Sequence, residues 1–304
     1  MSGIELANIN GTIAPTDRAV IPVGDHGFLY GDSVYETVRT YGRRPFMMAS
    51  HLDRLARSGA AIRLAVPWSR EHMVQETERT IQAAGGDGDI EFALRIMATR
   101  GVGPMGYDLA LCRNPNLVIL LRVLEPITRA EREVGISATI VSVRRNPIEA
   151  LDPRIKSSNL LNTILAYQEA LGSGAQEAIL LNTTSHLAEG TLTNVFFVKA
   201  NTLKTPALDC GLLSGITREM VIDLARSAGI AVEEGRYRRE DLAEADEAFL
   251  TSTTREIVPV ASLDGRAMGP GGAGRGPLTR QLQVMFRALV DEFLHDATVV
   301  REAG

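Results

Sequence analysis

The sequence predicts an α+β fold in two domains, and three observations carry that expectation. Segments with strand composition and segments with helical spacing are mixed without the strict alternation of a doubly wound sheet. A polar, charged stretch broken by Pro126, "LEPITRAEREVG" (124–135), separates two such mixtures. The length of 304 residues suits one large domain or two medium ones. The expected division is a small N-terminal α+β domain over 1–123, an interdomain loop over 124–135 and a larger C-terminal domain over 136–304.

In the first part, "VYETVRTY" (34–41), "IEFALRIMAT" (90–99) and "NLVILLRV" (116–123) are rich in β-branched and aromatic residues and read as strands. Between them, "SHLDRLARSGAAIRL" and "REHMVQETERTIQAA" repeat apolar residues at helical spacing, with Ser50 and Ser69 as candidate caps. After the connection comes a strand, "ISATIVSVRR", and then "DPRIKSSNLL". The helix expected next places Leu160, Leu161, Ile164 and Leu165 on one face and ends at Gly172. "EAILLN", "LAEGTLTNVFFVKANTLKTP" and "DEAFLTSTT" read as strands and tight turns. They are flanked by helices "TREMVIDLARSAG" and "LTRQLQVMFRALVDEFLHDA", the second after a Gly/Pro loop. No repeat at a solenoid period is present.

A hydrophobic fraction of 45%, a charged fraction of 23% and a formal net charge of -5 are ordinary for a soluble globular protein. Acidic and basic residues are interspersed, which argues against a nucleic-acid footprint or a polybasic membrane anchor. No apolar run approaches the ~20 residues needed to span a bilayer. The N-terminus has no apolar stretch behind positive residues, so no signal peptide is expected. Cys112 and Cys210 make no metal or disulfide spacing, and a cytoplasmic setting is the default.

"GVGPMG" matches G-x-G-x-x-G after a strand, but turn residues follow where a dinucleotide site needs a helix, so it reads as a flexible loop. The five histidines are scattered, and no metalloenzyme or serine-hydrolase motif occurs. Lysine is the informative residue. The chain has three, Lys156, Lys199 and Lys204, and carries its remaining positive charge on arginine. A desolvated lysine amine is nucleophilic and forms Schiff bases, whereas an exposed one is a solvated charge. Three features accompany Lys156. Glu189, expected in a turn between strands, is the carboxylate that a protonated pyridine nitrogen would need. Ser214, Gly215 and Thr217 bracket a helix start suited to a phosphate, or to an ordinary Ser/Thr cap. Hydroxyls at Ser252, Thr253 and Thr254 end a strand and offer further phosphate contacts. Together these are the three anchors of pyridoxal phosphate.

The motifs "YGDSVYETVR", "HLDRL", "IKSSNLL", "AEGTLTNVF", "LSGITRE" and "TSTTREIVPV" resemble those of the class IV pyridoxal-phosphate enzymes. That family includes branched-chain and D-amino-acid aminotransferases, (R)-selective amine transaminases and aminodeoxychorismate lyases, and the resemblance covers nearly the whole chain. It implies a two-domain fold type IV enzyme with pyridoxal 5'-phosphate in the cleft between the domains, and a homodimer or higher homo-oligomer. By motif, Lys156 is the catalytic lysine that carries the cofactor and Glu189 pairs with the pyridine nitrogen. Arg54, Gly215, Ile216, Thr217 and Thr253 hold the phosphate, and Leu213 packs against the ring. The substrate pocket falls to Tyr30, Tyr35, Arg39, Arg95 and Thr254.

Tyr30, Arg39 and Arg95 resemble the branched-chain pocket, which takes an aliphatic side chain or the distal carboxylate of 2-oxoglutarate in turn. Ala93 departs from it by standing where the branched-chain motif has tyrosine, and "KSSNLL", which lacks the tyrosine that follows the lysine there, and Tyr35 resemble the D-specific type. Met105 and Tyr107 stand where the best-known D-specific enzymes carry an Arg-x-His carboxylate trap. Arg255 is an unplaced positive charge that serves either as a different trap or as a solvated side chain. The expected function is transamination of branched-chain or broadly aliphatic L-amino acids with 2-oxoglutarate. The alternatives are a D-amino-acid aminotransferase, then an (R)-amine transaminase or aminodeoxychorismate lyase, and from another class a binding protein that has kept the fold. The partners expected are a small amino donor and a keto acid, with no nucleic acid, membrane or metal.

Overall fold

A computed structural model describes residues 4–86 and 90–302, with side chains to 296. The chain divides into two compact units, Met1–Glu125 with Ile155–Asn159, and Pro126–Arg154 with Leu160–Gly304.

The first unit contains β1 (Glu5–Ile9), β2 (Thr12–Pro15), α1 (His26–Tyr30), β3 (Ser33–Tyr41), β4 (Arg44–Pro45), α2 (Met48–Ala61), α3 (Arg70–Ala83), β5 (Phe92–Thr99) and β6 (Asn116–Val123). Among the described residues its six strands form an antiparallel sheet in the order β2-β1-β6-β5-β3-β4. Val34 and Val38 of β3, Leu94 and Ile96 of β5 and Ile119 of β6 pack with Leu52 and Leu55 of α2 in its core. Burying side chains of this size contributes roughly 1.5–3 kcal/mol each. Ser69 caps α3 by accepting the His72 N–H. Ser50 does not cap α2: the helix has begun by Met48, after Met47 in a left-handed conformation, so Ser50 lies inside its first turn. No α-helix opens after Gly106, and Gly101 has φ +92 with Asn114 packed where a Cβ would stand. This glycine serves a tight loop crossing.

The edge of β3 is shared. Two-residue β4 covers its C-terminal end at Thr40 and Tyr41, and Ile155–Asn159 covers its N-terminal end. Ser157 bridges Val34, Tyr35 N–H donates to Lys156 O at 2.9 Å, and Ser158 N–H donates to Ser33 O at 3.0 Å. Lys156 therefore lies in an extended segment, and the helix expected at its side starts five residues later.

In the second unit, α4 (Arg129–Glu133) lies within the polar connection and starts with a Thr128–Glu131 capping box. It is followed by β7 (Ile136–Ile140), α5 (Leu161–Gly172), β8 (Glu177–Leu181), β9 (Leu187–Gly190), β10 (Asn194–Lys199), β11 (Thr202–Pro206) and α6 (Ile216–Ser227). The remaining elements are β12 (Val232–Gly235), α7 (Arg239–Ala243), β13 (Glu247–Ser252), β14 (Glu256–Leu263), β15 (Arg266–Ala267) and α8 (Pro277–Glu302). Among the described residues the sheet has nine strands, in the order β12-β11-β10-β13-β14-β7-β8-β9 with β15 on β14. Pairs β7/β8, β7/β14 and β11/β12 are parallel, and the crossovers that β7/β8 and β11/β12 need are supplied by α5 and α6. The unit is thus α+β, with parallel pairs set into an otherwise largely antiparallel sheet.

The face of α5 that carries the leucines is not the buried one. Leu161, Ile164 and Leu165 are exposed, while Ala166 and Ala170 are fully buried against Val141, Ala178 and Leu180. Small residues allow the helix to lie close to β7 and β8, and the leucine stripe is turned outward.

Helix α8 begins with Pro277, whose missing N–H costs nothing at a first turn. The next donors are met by buried Glu247 of β13, whose carboxylate accepts from Leu278 N–H at 3.0 Å, Thr279 N–H at 2.8 Å and Thr279 Oγ1 at 2.7 Å. A carboxylate here satisfies orphan donors and opposes the positive end of the helix dipole. Glu247→Ala is expected to destabilise the protein by about 2 kcal/mol, read as a lower urea midpoint with an unchanged m-value; an unshifted midpoint would show the cap to be dispensable.

Candidate active site

Strand β3 sorts the first unit's candidates by the two-residue alternation of its side chains. Val34, Glu36 and Val38 face α2. Tyr35, Thr37 and Arg39 face the other way, and Arg95 joins them because it stands opposite Thr37 in the register with β5. On this second face the Arg95 guanidinium stacks on the Tyr35 ring, Cζ 3.8 Å from the centroid. The Lys156 amine lies over the same ring at 4.8 Å. Lys156 and Arg95 are therefore both gathered at the Tyr35 ring, held by cation–π attraction. The Arg95 Nε is buried without a hydrogen-bond partner, a polar atom that a ligand acceptor would satisfy. Lys156 N–H donates to buried Ser58 Oγ at 3.1 Å, which fixes its backbone from the α2 side.

Arg39 lies further along β3, its guanidinium 3.9 Å from the Tyr41 ring centroid. Tyr30 ends α1, where its ring meets His26 and Tyr107, and Gly106 N–H donates to its hydroxyl at 3.3 Å.

On the α2 face, Glu36 is fully buried and accepts from Arg54 Nε and Nη2, both at 2.7 Å, and from His51 Nδ1 at 2.8 Å. His51, Arg54 and Ser58 recur at helical spacing, so one face of α2 presents all three to β3. Burial raises the Glu36 pKa, but hydrogen bonds from Arg54 and then His51, with their charges, outweigh it and lower the pKa to about 2. Burial pushes His51 below its ordinary value against the pull of Glu36. Arg54 thus has two of its five N–H donors committed to Glu36.

The second unit carries the remaining candidates. Glu189 is in β9, not in a turn; the turn follows it, with Gly190 N–H donating to Thr193 O at 2.7 Å. Its Oε1 accepts from Arg145 Nε at 2.7 Å and its Oε2 from Leu213 N–H at 3.0 Å. Leu213 is held at both ends, its carbonyl accepting from Asn194 Nδ2 at 2.9 Å. Gly215 is the N-cap of α6 and there is no side-chain cap hydrogen bond, contrary to the Ser/Thr cap reading; the Ser214 hydroxyl donates instead to the Glu219 carboxylate. The leading N–H groups of a helix have no intrahelical acceptor, so Ile216 and Thr217 open an anion-ready terminus. A Cβ on Gly215 would overlap Asn194 Oδ1, so this close approach requires glycine. An uncapped helix start built on such a glycine fits the phosphate of the implied cofactor.

Thr253 and Thr254 follow β13 in the turn before β14, where Ser252 Oγ accepts from Arg255 N–H at 3.2 Å. The Arg255 guanidinium lies 3.6 Å from buried Glu177. Burial raises the Glu177 pKa, opposed by donors from Thr191 and by the Arg255 charge. Among the described residues no group of three or more His, Cys, Asp or Glu is placed to hold a metal ion, and no helix is long and apolar enough to cross a membrane.

Sequence reasoning missed Arg145, Asn194 and the Glu36–His51 pair. A signal for the last existed, since His51 and Arg54 stand one helical turn apart in "HLDRL". For Arg145 none did, because its link to Glu189 spans 44 residues.

The chain matches the family described as "Amino-transferase class IV" over residues 33–263. It is 38% identical over 279 residues to a Methanocaldococcus jannaschii protein provisionally named a branched-chain-amino-acid aminotransferase, covering 92% of this chain and 94% of the relative. It is 30% identical to the aminodeoxychorismate lyase of Bacillus subtilis, with 95% and 96% covered, and 34% identical to a D-alanine aminotransferase of Listeria monocytogenes, with 91% and 93% covered. The crystal structure of the Escherichia coli branched-chain amino acid aminotransferase superposes with a TM-score of 0.87 at 30% identity, with 94% of each chain covered. The Thermobaculum terrenum branched-chain enzyme, solved in its PLP form, gives 0.81 at 30% identity, with 95% of each covered.

The Glu36 cluster makes stability depend on pH with a definite sign. Its folded pKa is depressed, so its contribution is complete above the unfolded carboxylate value near ~4.3 and is lost as pH falls toward about 2. Glu36→Gln should cost about 3–5 kcal/mol at pH 7, because it leaves Arg54 buried without its counter-charge. The difference between wild type and variant should hold constant from pH 7 to 5 and narrow below about pH 4. Denaturant unfolding across that range checks it, and a gap that widens in acid would refute the assignment.

Proposed function

The chain belongs to the class IV aminotransferases, and on that premise we propose that it moves the amino group of branched-chain or broadly aliphatic L-amino acids to 2-oxoglutarate in two half-reactions. Pyridoxal 5'-phosphate is the cofactor. Lys156 carries it between turnovers and Glu189 pairs with its ring nitrogen. Leu213 packs on the ring. Arg54, the N–H groups of Ile216 and Thr217 beside Gly215, and Thr253 hold the phosphate. When bound, the cofactor supplies an electron-withdrawing ring that accepts the electron pair left as the substrate Cα–H bond breaks.

The residues of the chain do the rest. With the cofactor bound, the Lys156 amine would be the base that takes the substrate Cα proton and the acid that gives it back. The extended segment pinned to β3 keeps that amine over Tyr35, so it need not be reordered for each transfer. Release of the first keto acid before the second binds gives ping-pong kinetics. Tyr30, Tyr35, Arg39, Arg95 and Thr254 form the substrate pocket.

The observation that carries the substrate reading is Arg95, stacked on the ring that also bears Lys156, with a buried Nε lacking a partner. A dicarboxylate meets this guanidinium with its second carboxylate, and an aliphatic side chain lies along the ring instead. The D-amino-acid reading is favoured by the Listeria relatives. Its candidate carboxylate trap, Arg255, is turned to Glu177. We place the enzyme in the cytoplasm as a homodimer or higher homo-oligomer; exposed Leu161, Ile164 and Leu165 on α5 support the self-association alone.

Lys156→Ala should abolish transamination with the fold intact; turnover near wild type would end the assignment. Arg95→Ala should reduce kcat/KM for 2-oxoglutarate by about 10–100-fold and that for L-leucine by no more than about 3-fold. Equal losses would place Arg95 outside the pocket. The substrate itself is tested by mixing holoenzyme separately with L-leucine, D-alanine and (R)-1-phenylethylamine and following conversion of the cofactor absorption band. Fast conversion by L-leucine alone supports the L reading, and faster conversion by D-alanine overturns it.

A further inference from the structure

We propose that Arg145 is a positioning residue for Glu189 and that Asn162 holds Arg145 in place; this rests on reading Glu189 as the partner of the cofactor's ring nitrogen. Glu189 is buried and its carboxylate is gripped on both oxygens, by Arg145 Nε on Oε1 and by Leu213 N–H on Oε2. A carboxylate held on one oxygen can turn about its last bond. Held on both, its plane is fixed, while each oxygen keeps lone-pair capacity for another donor. The aim of Glu189 at a ring N–H is then set by Arg145 and by the backbone of Leu213.

Arg145 is itself held at two levels. Its N–H donates to Leu181 O of β8 at 2.9 Å, and its Nη1 donates to Asn162 Oδ1 at 3.0 Å. Asn162 Nδ2 donates to Arg144 O at 2.8 Å, which fixes which way the amide points. The pair is shielded, with side-chain exposures of 15% for Arg145 and 8% for Glu189, against 66% and 54% for the surface pair Arg236–Asp209. Surface pairs contribute little and rearrange readily, whereas a shielded pair leaves an uncompensated charge when broken.

The location adds a second role. Arg145 and Asn162 flank residues 146–161, the stretch that contains Lys156. One clasp therefore aims Glu189 and closes the base of the segment that bears the reactive amine. Loss of Arg145 should impair the chemical step and the grip on the pyridoxamine form, which Lys156 does not hold covalently. The side chains that meet the substrate are left untouched.

The test compares Arg145→Gln, Arg145→Lys and Asn162→Ala with wild type. The readouts are kcat and both KM values of the reconstituted enzyme, and the Kd of the cofactor-free protein for pyridoxamine 5'-phosphate by equilibrium dialysis. Arg145→Gln should lower kcat by about 10–100-fold, keep the KM for L-leucine and 2-oxoglutarate within about 3-fold, and raise that Kd by about 10-fold. Arg145→Lys should recover part of both losses, and Asn162→Ala should shift both in the same direction by less. Asn162→Ala carries the test if Arg145→Gln does not fold. Unchanged kcat per bound cofactor and unchanged Kd, with only a lower Tm, would reduce Arg145 to a structural ion pair and overturn the proposal. A wild type that fails to bind the cofactor would overturn the reading beneath it as well, and only that outcome touches wild type.

Discussion

Glu36 is buried beneath β3, where a lone carboxylate would be untenable, and its two oxygens are taken by Arg54 and His51 from one face of α2. This ion pair sets how the helix lies on the strand. Much of the first unit's site follows from that placement. With Glu36 facing α2, strand alternation turns Tyr35 to the opposite face, and the register with β5 puts Arg95 beside it. The same helix supplies Ser58 to the backbone of Lys156. A guanidinium presents its donors in a rigid fork, so Arg54 meets both oxygens of Glu36 at once.

The second unit solves a different problem. The head of α6 is shaped by omission. Gly215 supplies no capping side chain and no Cβ, so Asn194 can approach and hold Leu213 while the leading N–H groups stay without side-chain partners. The crossover that brings α6 there is required because β11 and β12 run parallel. The parallel pairing of β7 and β8 likewise demands α5, and the first turn of α5 delivers Asn162 to Arg145. Topology thus places two of the site's supports.

Much of this was legible in the sequence. Strands β3, β5, β6 and β8 and helices α3 and α6 lie where composition and spacing put them, because their apolar residues recur at the period of the element that buries them. The failures are instructive. Ser50 has a cap's chemistry but sits one turn too late, since helix starts are fixed by backbone geometry as much as by residue type. The leucines of α5 do share one face, yet alanines face the sheet, because what is buried depends on how close the neighbour lies. Glu189 looked like a turn residue because four-residue β9 is too short to show alternation.

The sequence by itself determined the family, the fold class and the lysine that stands apart, because each is written in local residue patterns. What only the tertiary structure decided is which side chains meet: Arg95 with Lys156 on Tyr35, Arg54 with Glu36, Arg145 with Glu189. Those encounters join residues distant in the chain through strand register and helix placement. Register is set by the packing of a whole sheet and not by any one segment. A motif can therefore announce the chemistry, while the partners that aim it appear only once the chain is folded.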